Sequence, residues 1–124
     1  VGTDANVYLT IYGDLGESKE IHLSRSETHR DKFERNHVDK FLVQAANLGK
    51  LIGIRLRHDN TGAYPGWYCD RVEIYDEKSN KYLFPVERWF SLNRDDGRID
   101  RIIKEIVHYH SRLYIFSRFF LLMF

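Results

Sequence analysis

Few residues in this 124-residue chain could do catalytic chemistry, and none has its partners at hand. Cys69 lies in the extended run Trp67 to Tyr75 with no histidine placed to take its proton, so a small buried apolar role outweighs a nucleophilic one. His108 and His110 alternate and could share a zinc ion, but two imidazoles fall short of a site. His58-Asp59 could also bind a metal, although the pair opens a turn-rich segment. There is no G-x-S-x-G elbow, HExxH pair, phosphate-binding loop or dinucleotide fingerprint. The expectation is a protein that is not an enzyme.

Composition narrows the classes further. Nineteen Lys and Arg against eighteen Asp and Glu leave a formal charge of +1, with no basic field of the kind nucleic acid requires. A single cysteine forms no intrachain disulfide, so this is not a disulfide-stapled scaffold. Apolar residues at 43% and charged residues at 30% suit one folded, water-facing domain. The opening Val1-Gly2-Thr3-Asp4 shows no basic-then-apolar signal segment.

The elements that must position any site read as strands. Asn6 to Tyr12 alternates Val7, Leu9 and Ile11 on one face; Gly13 to Gly16 turns the chain, and Lys19 to Leu23 completes a hairpin. Ser24 to Asn36 is a long polar loop. Strands are then expected at Phe41-Leu42-Val43, Leu51 to Leu56, Trp67 to Tyr75, Lys81 to Trp89 and Arg98 to Ile102. Pro85 marks an edge or a bulge. Loops fall at His58 to Gly66 and Leu92 to Gly97. Short strands at such regular intervals predict an all-β sandwich. From Ile103 the turn signals stop and an apolar tail of net charge +2 follows. Arg112 and Arg118 interrupt it, which disfavours a membrane span; a buried terminal strand or helix, or an interfacial or aggregation-prone tail, are the remaining readings.

Four ordered motifs carry a family likeness. Gly2-Thr3-Asp4-Ala5-Asn6-Val7-Tyr8-Leu9 opens the series, and Phe33-Glu34-Arg35 precedes Val38-Asp39. Arg57-His58-Asp59-Asn60 leads into Gly66-Trp67-Tyr68-Cys69-Asp70-Arg71-Val72, and Phe84-Pro85, Arg88-Trp89-Phe90 and Asp96-Gly97-Arg98 close it. Over residues 2 to about 102 the chain resembles PLAT (lipoxygenase-homology, LH2) domains. The likeness implies an antiparallel, eight-strand-type, C2-like β-sandwich over residues 1–102, followed by a tail over 103–124 that matches nothing in the family. The family's first strand, ahead of the Gly-Thr-Asp loop, is missing from this sequence. Part of Leu113 to Phe124 would then take that strand's place, or else the tail is stray sequence.

The resemblance also implies function. PLAT domains hold calcium in loops at one end of the sandwich, and calcium accepts six to eight oxygens in tolerant geometry. The corresponding ligands here are Gly2, Thr3 and Asp4, faced by Asp31 and Glu34. Glu34 aligns through Phe33-Glu34-Arg35, while Lys32 displaces Asp31 by one residue. A further acidic position falls on Pro65, leaving only a backbone oxygen, with Asp59 and Asn60 nearby as the compensating ligands; the bland alternative makes these acids solvated loop residues. Lipid contact is expected from loop-tip aromatics beside the ion: Trp89 aligns with one, Tyr64 sits near another, and Phe90 and Arg88 flank the first. Core packing is the competing role for Trp89 and the favoured one for Trp67. The partners implied are membrane lipids or membrane-associated proteins, with sister PLAT repeats in the full-length protein. Within the family the likeness leans to the repeats of inner-ear hair cells, which implies the cytoplasmic face of the stereociliary membrane and a role in hearing. The adaptor reading, a structural repeat with no lipid or calcium affinity, is the alternative. Catalysis in lipoxygenases and lipases belongs to a separate domain and does not carry over.

Overall fold

A computed structural model describes residues 3–24, 38–76, 80–104, 106–109 and 118–123. Among these, period-two alternation produces antiparallel strands and no helix. They are β1 (Val7–Gly13), β2 (Gly16–Glu17), β3 (Ile21–His22), β4 (Asp39–Gln44), β5 (Leu51–His58), β6 (Trp67–Asp76), β7 (Lys81–Phe90), β8 (Asp100–Ile103), β9 (Val107–Tyr109) and β10 (Arg118–Met123). One sheet runs β2-β1-β5-β8 with β3 also on β1; the other runs β4-β10-β6-β7-β9. The fold is the expected antiparallel β-sandwich.

The core lies where the alternation aims it. Val7, Leu9 and Ile11 of β1 and Ile54 and Leu56 of β5 meet Val72 and Ile74 of β6 and Phe84 and Phe90 of β7, all buried. Each such side chain contributes about 1.5–3 kcal/mol of transfer free energy. Trp67 joins this core, as does Cys69.

Two local departures from simple strands have side-chain causes. The run expected at Lys19 to Leu23 shortens to β3, and a separate two-residue strand, β2, precedes it; between them the Ser18 hydroxyl accepts the Ile11 N–H at 2.9 Å and takes the place of a backbone carbonyl. Pro85 stands opposite Arg71, beside the register shift between Cys69 and Arg71. A proline with no N–H to give is thus accommodated at a bulge.

The described residues after Ile102 are built into both sheets. Ile103 completes β8 opposite Ile54, and β9 borders β7 with Val107 opposite Leu83. β10 lies between β4 and β6 and is antiparallel to both, with Met123 opposite Asp39 on one side and Val72 on the other. Met123 is buried in the core. No helix among the described residues is long and apolar enough to cross a membrane.

Candidate functional site at the loop pole

Strand directions bring three loops to one end of the sandwich. β1 begins there, opposite the end of β5, with Val7 facing His58. β6 begins there, opposite the end of β7, with Trp67 facing Phe90. The segment before β1, the β5–β6 loop (59–66) and the β7–β8 loop (91–99) therefore form one pole. Leu23, whose N–H reaches the Val7 carbonyl, brings β3 to the same end.

Polar groups in the first two segments are largely spent on one another. The Thr3 hydroxyl, buried, donates to the Pro65 carbonyl at 2.5 Å and accepts the Ala5 N–H at 3.0 Å. The Asp4 N–H reaches the Tyr64 carbonyl, and the Asp4 carboxylate accepts the Tyr64 N–H, both at 3.2 Å. Asp59 accepts from the Asn6 N–H (3.1 Å) and side-chain amide (2.8 Å), and from the Thr61 hydroxyl (2.6 Å) and N–H (3.2 Å). The Thr61 hydroxyl bond, with those from Asn6, holds the Asp59 carboxyl well below the usual carboxylate range. Asn60 occupies the left-handed region at φ 59°, which asparagine tolerates. Gly62, at φ 85°, lies so close to Asp4 that an added Cβ would come within 2.7 Å of the Asp4 Cβ.

His58 ties the pole to the core. It is 1% exposed, its Nδ1 accepts the Asn60 N–H at 2.9 Å, and its Nε2 lies 2.7 Å from the Phe90 carbonyl. An accepting Nδ1 puts the proton on Nε2, so the neutral ring donates to Phe90. Burial pushes its pKa down, against the opposing pull of the Phe90 carbonyl and Asp59.

The 91–99 loop is organised by two arginines. Arg101, 9% exposed, makes a two-pronged pair with Asp96 at 2.6 and 2.9 Å, and donates to the Trp89 carbonyl from Nε and Nη2. That pairing holds the Asp96 carboxyl down to about 2. Arg88 grips Asp95 twice at 2.8 Å and reaches Asp96 at 3.1 Å. Above this frame Trp89 packs edge-on against Tyr68, with the Arg94 guanidinium 4.5 Å from its ring centre.

The expected site residues accordingly take different roles. Gly2, Asp31 and Glu34 lie outside the described residues. Thr3, Asp4, Asp59 and Asn60 are brought together, but as a hydrogen-bonded knot. The Thr3 hydroxyl, the Pro65 carbonyl and all four Asp59 acceptor contacts are used within the protein, and Asp4 alone has carboxylate capacity left over. Among the described residues no cluster of three or more acidic, histidine or cysteine side chains is placed to hold a metal. The described half of the pole therefore does not by itself fit a calcium ion.

The expected contact residues also divide. Tyr64 is 79% exposed, Trp89 half-buried, and Arg88 exposed but engaged with Asp95 and Asp96. Phe90 is fully buried against Trp67, with ring centres 5.1 Å apart, so its side chain belongs to the core and meets no lipid. Sequence reading passed over Leu92, 60% exposed on the neighbouring loop, whose one signal was an isolated leucine between Ser91 and Asn93. It also passed over Tyr68 and Arg101, which support Trp89 from beside and below.

Comparison with known proteins agrees with the geometry. The profile of the PLAT/LH2 domain matches residues 1–104, ending before β9 and β10. Lipoxygenase homology domain-containing protein 1 of Mus musculus is 48% identical over 105 residues, which are 84% of this chain and 5% of that protein. Human polycystin-1-like protein 1 is 38% identical over 99 residues, 78% of this chain and 3% of its own length. The chain thus spans only a small part of these relatives. Among solved structures, coral 8R-lipoxygenase superposes with a TM-score of 0.68 at 28% identity, over 83% of this chain and 14% of that one; it is described as activated by calcium through a C2-like domain. Motifs, sandwich and relatives converge, and the chain belongs to the PLAT/LH2 domain family.

Proposed function

We propose that this chain is a non-catalytic docking module that seats its parent protein on membrane lipid or on a membrane-associated protein through the loop pole. The observation that carries the reading is the pairing of two strongly exposed apolar side chains, Tyr64 and Leu92, on adjacent loops of one pole beside half-buried Trp89. A rigid support lies beneath them: His58 joins the 59–66 loop to the end of β7, and Arg101 joins the 91–99 loop to the same strand end. Amphipathic rings on a fixed platform suit the headgroup layer, and Arg94 adds a cation beside Trp89.

Calcium responsiveness belongs to this reading through Asp4, Asp31 and Glu34. Asp59 and Asn60 have other work in the polar knot, and Asp4 needs oxygens from elsewhere to complete a coordination shell of six to eight. Bound there, calcium would offset repulsion between acidic loops and anionic lipid. Operation at the stereociliary membrane of hair cells, alongside sister repeats, extends the same reading, supported by the 48% identity to lipoxygenase homology domain-containing protein 1. Imaging of the tagged parent protein in hair cells tests that placement.

Co-sedimentation with anionic vesicles, in calcium and in chelator, tests the docking itself. The expected result is calcium-enhanced binding, reduced at least threefold by Tyr64→Ala combined with Leu92→Ala at unchanged melting temperature. Vesicle binding that ignores both substitutions defeats the pole as the contact surface. The adaptor reading is favoured by one observation, the enclosure of Trp89 between Tyr68 and Arg94; it predicts no vesicle binding in either condition.

A further inference from the structure

The last strand of the chain occupies a central position in its sheet. β10 bonds to β4 on one side and to β6 on the other, and in the order β4-β10-β6-β7-β9 the two flanking strands do not pair with each other. A central strand removed from a sheet leaves two facing edges, each with a row of unpaired N–H and C=O groups. The inner row beside it would lose cover as well, since Phe41 and Val43 of β4 and Val72 and Ile74 of β6 are core residues.

Reaching this slot takes a crossing. Tyr109 of β9 stands in one row with Lys81, Tyr75 and Phe120, so β9 and β10 are three strand gaps apart, about 14 Å. The chain between Tyr109 and Arg118 can span about 30 Å when extended, so the crossing is within reach in one molecule and equally between two. β10 is also the element whose partners lie farthest off in sequence: Phe119 pairs with Val43 and with Asp76. Contacts of such separation are slow to form, and among the described strands β4 pairs with β10 alone, so its ladder waits on whichever β10 arrives.

We infer that β10 is an exchangeable strand and that the partner fitted to the slot is a second copy of this chain, each copy donating its β10 to the other. Every ladder bond and core contact of the closed molecule is reproduced in the exchanged pair, so the two differ chiefly in association entropy and in the connector. A tethered strand competes at an effective concentration in the millimolar range, which makes exchange favourable when chains fold together at high concentration.

Cross-linking of the 124-residue chain tests this. Lys40 and Leu122 are register partners across β4 and β10. A Lys40→Cys chain and a Leu122→Cys chain are refolded together at high concentration and treated with a short bis-maleimide; buried Cys69 does not compete. The expected product is a species of twice the chain mass containing both variants, absent when they are refolded apart and then mixed. Exclusive cross-linking within single molecules of the Lys40→Cys/Leu122→Cys chain, with no mixed dimer, overturns the inference. Failure of that double variant to cross-link at all also overturns it, because β10 is then not the occupant of the slot. Should the cysteines impair folding, sedimentation of the unaltered chain decides: a dimer formed on concentrated refolding that persists on dilution supports exchange, and a monomer throughout refutes it.

Discussion

At the scale of single residues, His58 carries the most consequence. Its neutral ring bridges the Asn60 N–H and the Phe90 carbonyl inside the sandwich, and burial lowers its pKa below the ordinary value of 6.5. A base whose folded pKa is depressed contributes stability that is full above the unfolded value and is lost as pH falls through the folded one. The unfolding free energy should therefore drop as pH is lowered below about 6.5, and His58→Gln should flatten that part of the curve; denaturant titrations at pH 7.5, 6.5 and 5.5 measure it. Asp59 has the same sign in a more acidic window, with stability falling as its carboxyl is protonated below the usual carboxylate range. Neither role is visible in a sequence. The motif Arg57-His58-Asp59-Asn60 announces a loop rich in oxygen and nitrogen, but whether those atoms face an ion or one another depends on where Asn6 and Thr61 stand.

At the scale of elements, strand positions were legible because alternation with turn punctuation fixes which residues face inward. β1, β5, β6 and β7 fall within a residue or two of the runs read from Asn6, Leu51, Trp67 and Lys81. The separate strand β2, and the shortening of the expected Lys19 to Leu23 run to β3, were not legible, since they depend on one serine hydroxyl replacing a backbone acceptor. Phe90 shows a related limit: it extends β7 by one residue, and that residue's parity turns it into the core, whereas Trp89 beside it faces outward. The β7–β8 loop depends on Arg101, a nearly buried cation whose loss strands the Trp89 carbonyl and leaves Asp96 to Arg88 and the Arg98 N–H. Arg101→Met should cost about 2 kcal/mol and loosen Trp89. A lower denaturation midpoint together with a red-shifted, more quenchable tryptophan emission is the expected reading.

At the scale of the whole molecule, the sheet order could not have been read from the chain alone. The apolar tail was open to a strand, a helix or an interfacial segment, and nothing in Phe119 to Met123 says that its neighbours are Val43 and Asp76. Pairing over such separations depends on the tertiary arrangement and not on local residue preference, so period-two alternation cannot reveal it. The pole was more accessible, because the antiparallel register carries the ends of β5 and β7 to one side as soon as the strands are known.

Cys69 gives the molecule a built-in reporter. Its sulfur is enclosed between the sheets, contacts the Arg71 carbonyl at 3.7 Å, and has its ionisation suppressed by burial, so the folded protein offers no thiolate to an electrophile. Alkylation can proceed only as fast as the two layers part. A maleimide of added mass, followed by mass spectrometry, thus clocks the opening of the sandwich in an unaltered chain, and the proposed docking predicts that calcium or vesicles slow that clock.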